Sequence, residues 1–94
     1  MKLSSSSNSN VSIVIPTLGG TSLFKTIESI NNGIIVPDEI LVVIPDEKVH
    51  LVKNISIVNV RLIITSFSGQ VRQRLEGLKH AKFEYVIQLD DDII

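Results

Sequence analysis

An α/β fold, with a parallel sheet covered by helices on both faces, is predicted by three features of this chain. Short, near-continuous runs of Ile, Val and Leu recur along it, as strands buried on both faces require. Segments with helical apolar spacing separate those runs, which is the alternation of βαβ units. A dense carboxylate cluster, Asp90-Asp91-Asp92, follows directly on the last run. In open α/β sheets ligands bind in that position, outside the carboxyl ends of the strands.

The first run is Val11-Ser12-Ile13-Val14-Ile15, ended by Pro16-Thr17. Leu23, Phe24, Ile27 and Ile30 then share one helical face, with Thr21 or Ser22 as N-cap and Gly33 as the stop. The second run is Glu39-Ile40-Leu41-Val42-Val43-Ile44, stopped by Pro45. Glu47 to Ser56 is the least regular stretch, in which Val49, Leu51 and Val52 fit a short helix. Val60-Arg61-Leu62-Ile63-Ile64 is the third run. After Gly69, Val71, Leu75 and Leu78 recur at helical spacing with Ala81 close to their face, predicting a second amphipathic helix. Tyr85 to Leu89 is the fourth run. The order of elements is therefore β-α-β-(irregular)-β-α-β.

Ninety-four residues make one domain at most. Residues 1–10 run from Met1-Lys2-Leu3 into a Ser/Asn stretch that can bury nothing, and a disordered tail is expected there. Residues 11–94 carry all the periodic elements and read as the front half of a larger domain, because so short a chain buries little surface. No apolar h-region follows the start, so no secretory signal is expected. The apolar runs fall well short of the ~18–20 residues a membrane span needs. The absence of cysteine excludes a disulfide scaffold and thiolate metal sites, and a cytoplasmic location is the expectation. A net charge of −1 gives no electrostatic case for nucleic acid or anionic membrane. Aromatic residues make up 4% of the chain, too few for base-stacking platforms.

The carboxylate cluster points to chemistry. Three adjacent Asp side chains repel one another at neutral pH unless water or a cation neutralises them. Hard cations such as Mg²⁺ and Mn²⁺ take oxygen ligands of this kind. The loop Pro16-Thr17-Leu18-Gly19-Gly20 contains two glycines, which allow close backbone approach to a ligand or form a plain turn into a helix. Gly77 lies inside a helical pattern, where it costs stability and implies a close packing or ligand reason.

Four segments together resemble family 2 glycosyltransferases, enzymes with the nucleotide-sugar-binding GT-A fold. Val11-Ser12-Ile13-Val14-Ile15-Pro16-Thr17 is similar to their opening strand, and Pro37-Asp38-Glu39-Ile40-Leu41-Val42-Val43 to their second strand with its approach. Gly69 to Ala81 resembles the helix before their metal motif, and Glu84 to Asp92 the strand that ends in Asp-x-Asp. The resemblance covers residues 11–94. It implies a Rossmann-like parallel sheet of strand order 3-2-1-4, a nucleotide-diphosphate-sugar donor, and a divalent cation, Mn²⁺ or Mg²⁺. Carried over residue by residue, it makes Asp92 the metal ligand and Asp90 a ribose or metal-shell group. Asp91 stands in the middle, and the triple Asp leaves the register open by one.

Pro16, Thr17 and Gly19 would reach the nucleotide, and with strands 1 and 4 adjacent their loop would face the Asp cluster. Asp46 would contact the base, although Ile44-Pro45 stand where members often place Asp. Arg74 would pair with the diphosphate or brace the carboxylates; Arg72 lies on another face and is expected in solvent. Leu75 stands where the family often has Asn. His50 and His80 read as surface residues. The family reaction is an inverting displacement that needs a carboxylate base well beyond Asp-x-Asp. No catalytic residue is therefore assigned, and the chain alone is expected to lack turnover. The acceptor, whether glycan, lipid or protein, is not readable, and a longer enzyme could sit peripherally on a membrane. Two alternatives remain open: a sugar nucleotidyltransferase-like domain, and a non-catalytic module whose apolar sheet edge associates with itself or another chain.

Overall fold

The structure, a computed structural model, describes residues 9–91. Its elements are β1 (Val11–Pro16), α1 (Leu23–Asn31), β2 (Glu39–Pro45), a 3-10 helix (Asp46–Leu51), β3 (Val60–Thr65), α2 (Gln70–His80) and β4 (Tyr85–Gln88). The strands form one four-stranded sheet in the order β3-β2-β1-β4, and every neighbouring pair is parallel. This is the expected Rossmann-like α/β arrangement, with strand order 3-2-1-4. Among the described residues no helix is long and apolar enough to cross a membrane.

Alternation along the strands divides the core in two. Ile13 and Ile15 of β1 and Ile40, Val42 and Ile44 of β2 pack with Leu23 and Ile27 of α1 and with Val52. On the opposite face Val14, Leu41, Val43 and Ile63 lie together, with Leu78 and Ala81 packed against them. Each such aliphatic side chain contributes about 1.5–3 kcal/mol on full burial. β2, flanked by strands on both sides, is buried at every position. β4, at the edge, is exposed at every position.

α1 turns most of its expected face to the sheet, with Leu23, Ile27 and Ile30 in or against the core and Phe24 outside it, whereas α2 turns a different one. In α1 the buried residues are Leu23, Thr26 and Ile27, while Phe24 is 51% exposed. Ser22 occupies the N-cap position without a side-chain cap bond, and the helix ends with Asn32 as C-cap, one residue before Gly33. In α2 Gln73 and Gly77 are buried, whereas Val71 and Leu75 are 67% and 54% exposed. The cause is the close approach of helix to sheet at Gly77. A Cβ there would overlap Val14 Cγ1 and lie 2.9 Å from Val43 Cγ2. Docking the 73/77 stripe on the sheet places Val71 and Leu75, two positions away, about 200° round the helix.

The approach to β4 is tied down at the amino end of the sheet by Glu39, which is 6% exposed. Its Oε2 accepts from Ser12 Oγ at 2.7 Å and from the Lys82 N–H at 2.8 Å, while its Oε1 accepts from Arg61 Nη2 at 3.2 Å. Ser12 Oγ in turn accepts from the Phe83 N–H at 3.2 Å. Burial is the largest single influence on this carboxyl and raises its pKa. The Lys82 N–H, the Ser12 hydroxyl and the Arg61 guanidinium together outweigh burial, so the net pKa falls below the ordinary 4.5.

A carboxyl with a depressed folded-state pKa stabilises the fold above its unfolded pKa, and that stability is lost as pH falls through the folded value. Denaturant titrations run downward from pH 6 should therefore show a stability decline below the ordinary carboxylate range that Glu39→Gln flattens. Gly77→Ala tests the helix docking. Alanine would gain about 1 kcal/mol of helix propensity, but overlap with two stiff valines costs more. A net destabilisation of about 1–3 kcal/mol is expected by chemical denaturation.

Candidate functional site

The carboxyl edge of the sheet opens where β1 lies between β2 and β4. Chain leaving β1 turns to α1 on one face, while α2 lies on the other, so their loops part above β1. The resulting cleft, about 520 Å³, is lined by Pro16, Thr17, Leu18 and Gly20 on one side. Ser68, Gly69, Gln70 and Gln73 line the other side, and Asp91 follows β4 into it.

Pairing of β4 with β1 carries the acidic run to this cleft. The registers Val11↔Tyr85 through Val14↔Gln88 are extended by the Leu89 N–H, which donates to Val14 O at 3.0 Å. Asp91 is then held twice. Its Oδ2 accepts from the Thr17 hydroxyl, and its backbone carbonyl accepts from Thr26 Oγ1 at 2.8 Å. Thr17, 4% exposed, also accepts the Gly19 N–H on its hydroxyl at 2.9 Å. Gly19 has φ 82°, a left-handed conformation that favours glycine, and a Cβ there would sit 3.0 Å from Leu51. It shapes the turn against the 3-10 helix and is not among the cleft-lining residues. Gly20 does line the cleft, beside Asp91.

Gln73 joins three segments from below, at 2% exposure. Its Nε2 donates to Thr17 O at 2.8 Å and to Val43 O at 2.7 Å. Its Oε1 accepts the Gly69 N–H at 3.1 Å. A single side-chain amide thereby uses both its protons and its oxygen to join the loop after β1, the end of β2 and the start of α2. Sequence reading missed Gln73, Gln70, Ser68 and Thr26. The signal for Gln73 was its place one helical turn before Gly77, on a stripe with no large apolar residue.

Asp90 is the outer carboxylate. Its Oδ1 accepts from Gln70 Nε2 at 2.9 Å and lies 3.5 Å from Arg74 Nη2, with half of the Asp side chain and a third of the Arg side chain exposed. An ion pair so exposed adds little stability, but it orients the carboxylate. Arg74 thus stands beside Asp90, where it can brace that carboxylate, and its buried Nε has no partner among the described residues. Arg72 is exposed and stacks over the Phe67 ring, 4.1 Å from its centre. Asp46 opens the 3-10 helix, exposed and away from the cleft lining. His50 and His80 are exposed. Asp92 lies outside the described residues.

Among the described residues no three carboxylate or imidazole groups converge; Asp90 contacts α2, and Asp91 contacts Thr17 and Thr26. Each carboxylate offers about four lone-pair sites. Asp90 uses one oxygen for two donors, and Thr17 takes one site on Asp91, so acceptor capacity remains on both. Asp91 lines the cleft and Asp90 bonds to Gln70 of its lining; carboxylates with free lone pairs suit a hard cation that keeps several waters and shares phosphate oxygens. Comparison with protein-family models, curated proteins and solved structures finds no match for the chain.

Gln73→Leu removes the donor from two buried carbonyls while keeping much of the volume. The variant should lose about 1–3 kcal/mol of stability in denaturant unfolding.

Proposed function

We propose that the cleft is the donor site of a metal-dependent glycosyltransferase, taking a nucleoside-diphosphate sugar together with Mn²⁺ or Mg²⁺. The observation that supports this reading is the juxtaposition of Asp91 with the glycine-bearing loop after β1, in a cleft at the switch point of a parallel sheet, with Asp90 next to it in the chain and bonded to Gln70 of the cleft lining. Asp90 and Asp91, with Asp92 by its place in the sequence, would hold the cation. When bound, the cation supplies neutralisation of the charge that gathers on the departing diphosphate.

The chain's own residues prepare that site. Gln70 and Arg74 fix Asp90 through one oxygen and leave the other to a ligand. Thr17 and Thr26 fix Asp91 by its side chain and its backbone. Gln73 keeps the loop after β1 from collapsing into the cleft. Pro16, Thr17, Leu18 and Gly20 form the wall on which a nucleotide would lie. Asp46 is not among the residues that line that wall. A nucleotidyltransferase-like phosphate loop is less well supported, because Pro16 to Gly20 contains no Lys or Arg.

The test is a thermal melt with Mn²⁺ alone, with each of several nucleoside diphosphates alone, and with both. The melting temperature should rise with the pair well beyond either component. Asp90→Asn and Asp92→Asn should each weaken the metal-dependent part by about tenfold or more. Equal shifts in the variants, or no shift with any diphosphate, would remove this reading.

A further inference from the structure

The turn that leaves α1 carries the single Asn-Gly pair of the chain, Asn32-Gly33. Asn32 is the C-cap of α1, with φ −92° and ψ 1°. Asn32, Gly33, Ile34 and Ile35 are all exposed, so little packing holds the turn itself. Its two ends are tied together by one side chain. Asn59 exchanges amide hydrogen bonds with Asn31, at 2.9 and 3.1 Å, and its Nδ2 also donates to Pro37 O at 3.1 Å. The Asn32 side chain takes no part in that clamp and has no hydrogen-bond partner among the described residues. Beside it, the Gly33 N–H donates to Ile30 O at 3.2 Å, a bond at the open end of the helix.

We propose that Asn32-Gly33 is a self-modification site, at which Asn32 converts to aspartate and isoaspartate through a cyclic imide. The Gly33 backbone nitrogen, having given its proton to hydroxide, attacks Asn32 Cγ. A bond forms between them, the bond from Cγ to the side-chain nitrogen breaks, and ammonia leaves with a proton from water. Water then opens the five-membered ring at either carbonyl, giving aspartate or isoaspartate. Before the attack the nitrogen must release Ile30 O and Asn32 must turn out of its helical ψ. Glycine, with no Cβ, leaves that motion and the approach unhindered. The other described asparagines lack this freedom. Asn10, Asn54 and Asn59 precede Val11, Ile55 and Val60, whose branched Cβ crowds the attacking nitrogen. Asn31 has its amide held by Asn59 and is followed by Asn32. The new carboxylate would stand at the negative end of α1, four residues after the exposed Glu28, and both placements are unfavourable. Isoaspartate would also lengthen by a carbon a turn whose two ends Asn59 holds.

The test is incubation of the full chain at body temperature, in buffers from mildly acid to mildly alkaline, followed by peptide mass spectrometry. The peptide that contains Asn32 should gain the mass difference between an amide and an acid, faster as pH rises, and should separate into two products of equal mass. In water enriched in heavy oxygen both products should carry the label. Gly33→Ala should slow the conversion several-fold. Asn32→Gln, at an exposed position, should abolish it at this peptide while the far-ultraviolet dichroism stays that of the parent. The aged parent should melt below the fresh one, and aged Asn32→Gln should not. An unchanged Asn32 peptide at alkaline pH would overturn the proposal, as would earlier conversion of Asn31 or Asn54. Conversion in Gly33→Ala as fast as in the parent would overturn it too.

Discussion

β1 pairs on both sides, with β2 along one edge and β4 along the other, and the partition of the chain above its carboxyl end follows from that double pairing. The pairing with β4 spans only Val11↔Tyr85 to Val14↔Gln88, yet it decides where the carboxylates stand. A slip of one residue would move Asp91 by about 3.3 Å and turn the inward side chains of β4 to the other face. Thr17 could then no longer reach Asp91. Polar contacts at both ends oppose such a slip: Glu39 and Ser12 hold Lys82 and Phe83 below, and Thr17 and Thr26 hold Asp91 above. The acidic run is thereby placed by backbone register first and by side-chain contacts second.

The other wall of the cleft depends on α2, and there the controlling feature is a missing atom. Without a Cβ at Gly77, α2 sinks onto Val14 and Val43. One turn earlier the same stripe brings Gln73 into the sheet, where its amide satisfies the carbonyls of Thr17 and Val43. Burying a polar side chain is tolerable only when its groups are paired, and those of Gln73 are paired with backbone from three segments. The next residue in that helix, Arg74, then lies within reach of Asp90. Packing at one glycine is linked in this way to the orientation of the Asp90 carboxylate.

Much of the architecture was legible because buried parallel strands must be apolar on both faces, and the four runs stand out for that reason. The strand order was not legible from periodicity; it came with the resemblance to GT-A enzymes, and the sheet has that order. The face of α1 was largely as expected, but that of α2 misled because an apolar stripe is assumed to seek the sheet. In α2 the closest approach at Gly77 overrides that rule and leaves Val71 and Leu75 outside. Glu39 read as the polar start of a strand, and only the fold reveals the Ser12, Arg61 and Lys82 partners that make its burial tolerable. Of the site, the acidic run and the loop after β1 were found by residue type. Thr26 and Gln73 were not, because their partners Asp91 and Val43 are distant in sequence and carry no local signal.

In the proposed function a divalent cation binds with a diphosphate in the cleft lined by the loop after β1 and Asp91. Paramagnetic broadening of backbone amide signals by Mn²⁺, with and without a nucleoside diphosphate, locates the cation directly. The amides of Gly20, Gln70 and Asp91 should broaden first, and more strongly with the diphosphate present, while Ile57 and Lys82 at the opposite end of the sheet stay sharp. Broadening centred on Asp46 and Glu47, or spread evenly over surface carboxylates and unchanged by the diphosphate, would contradict it.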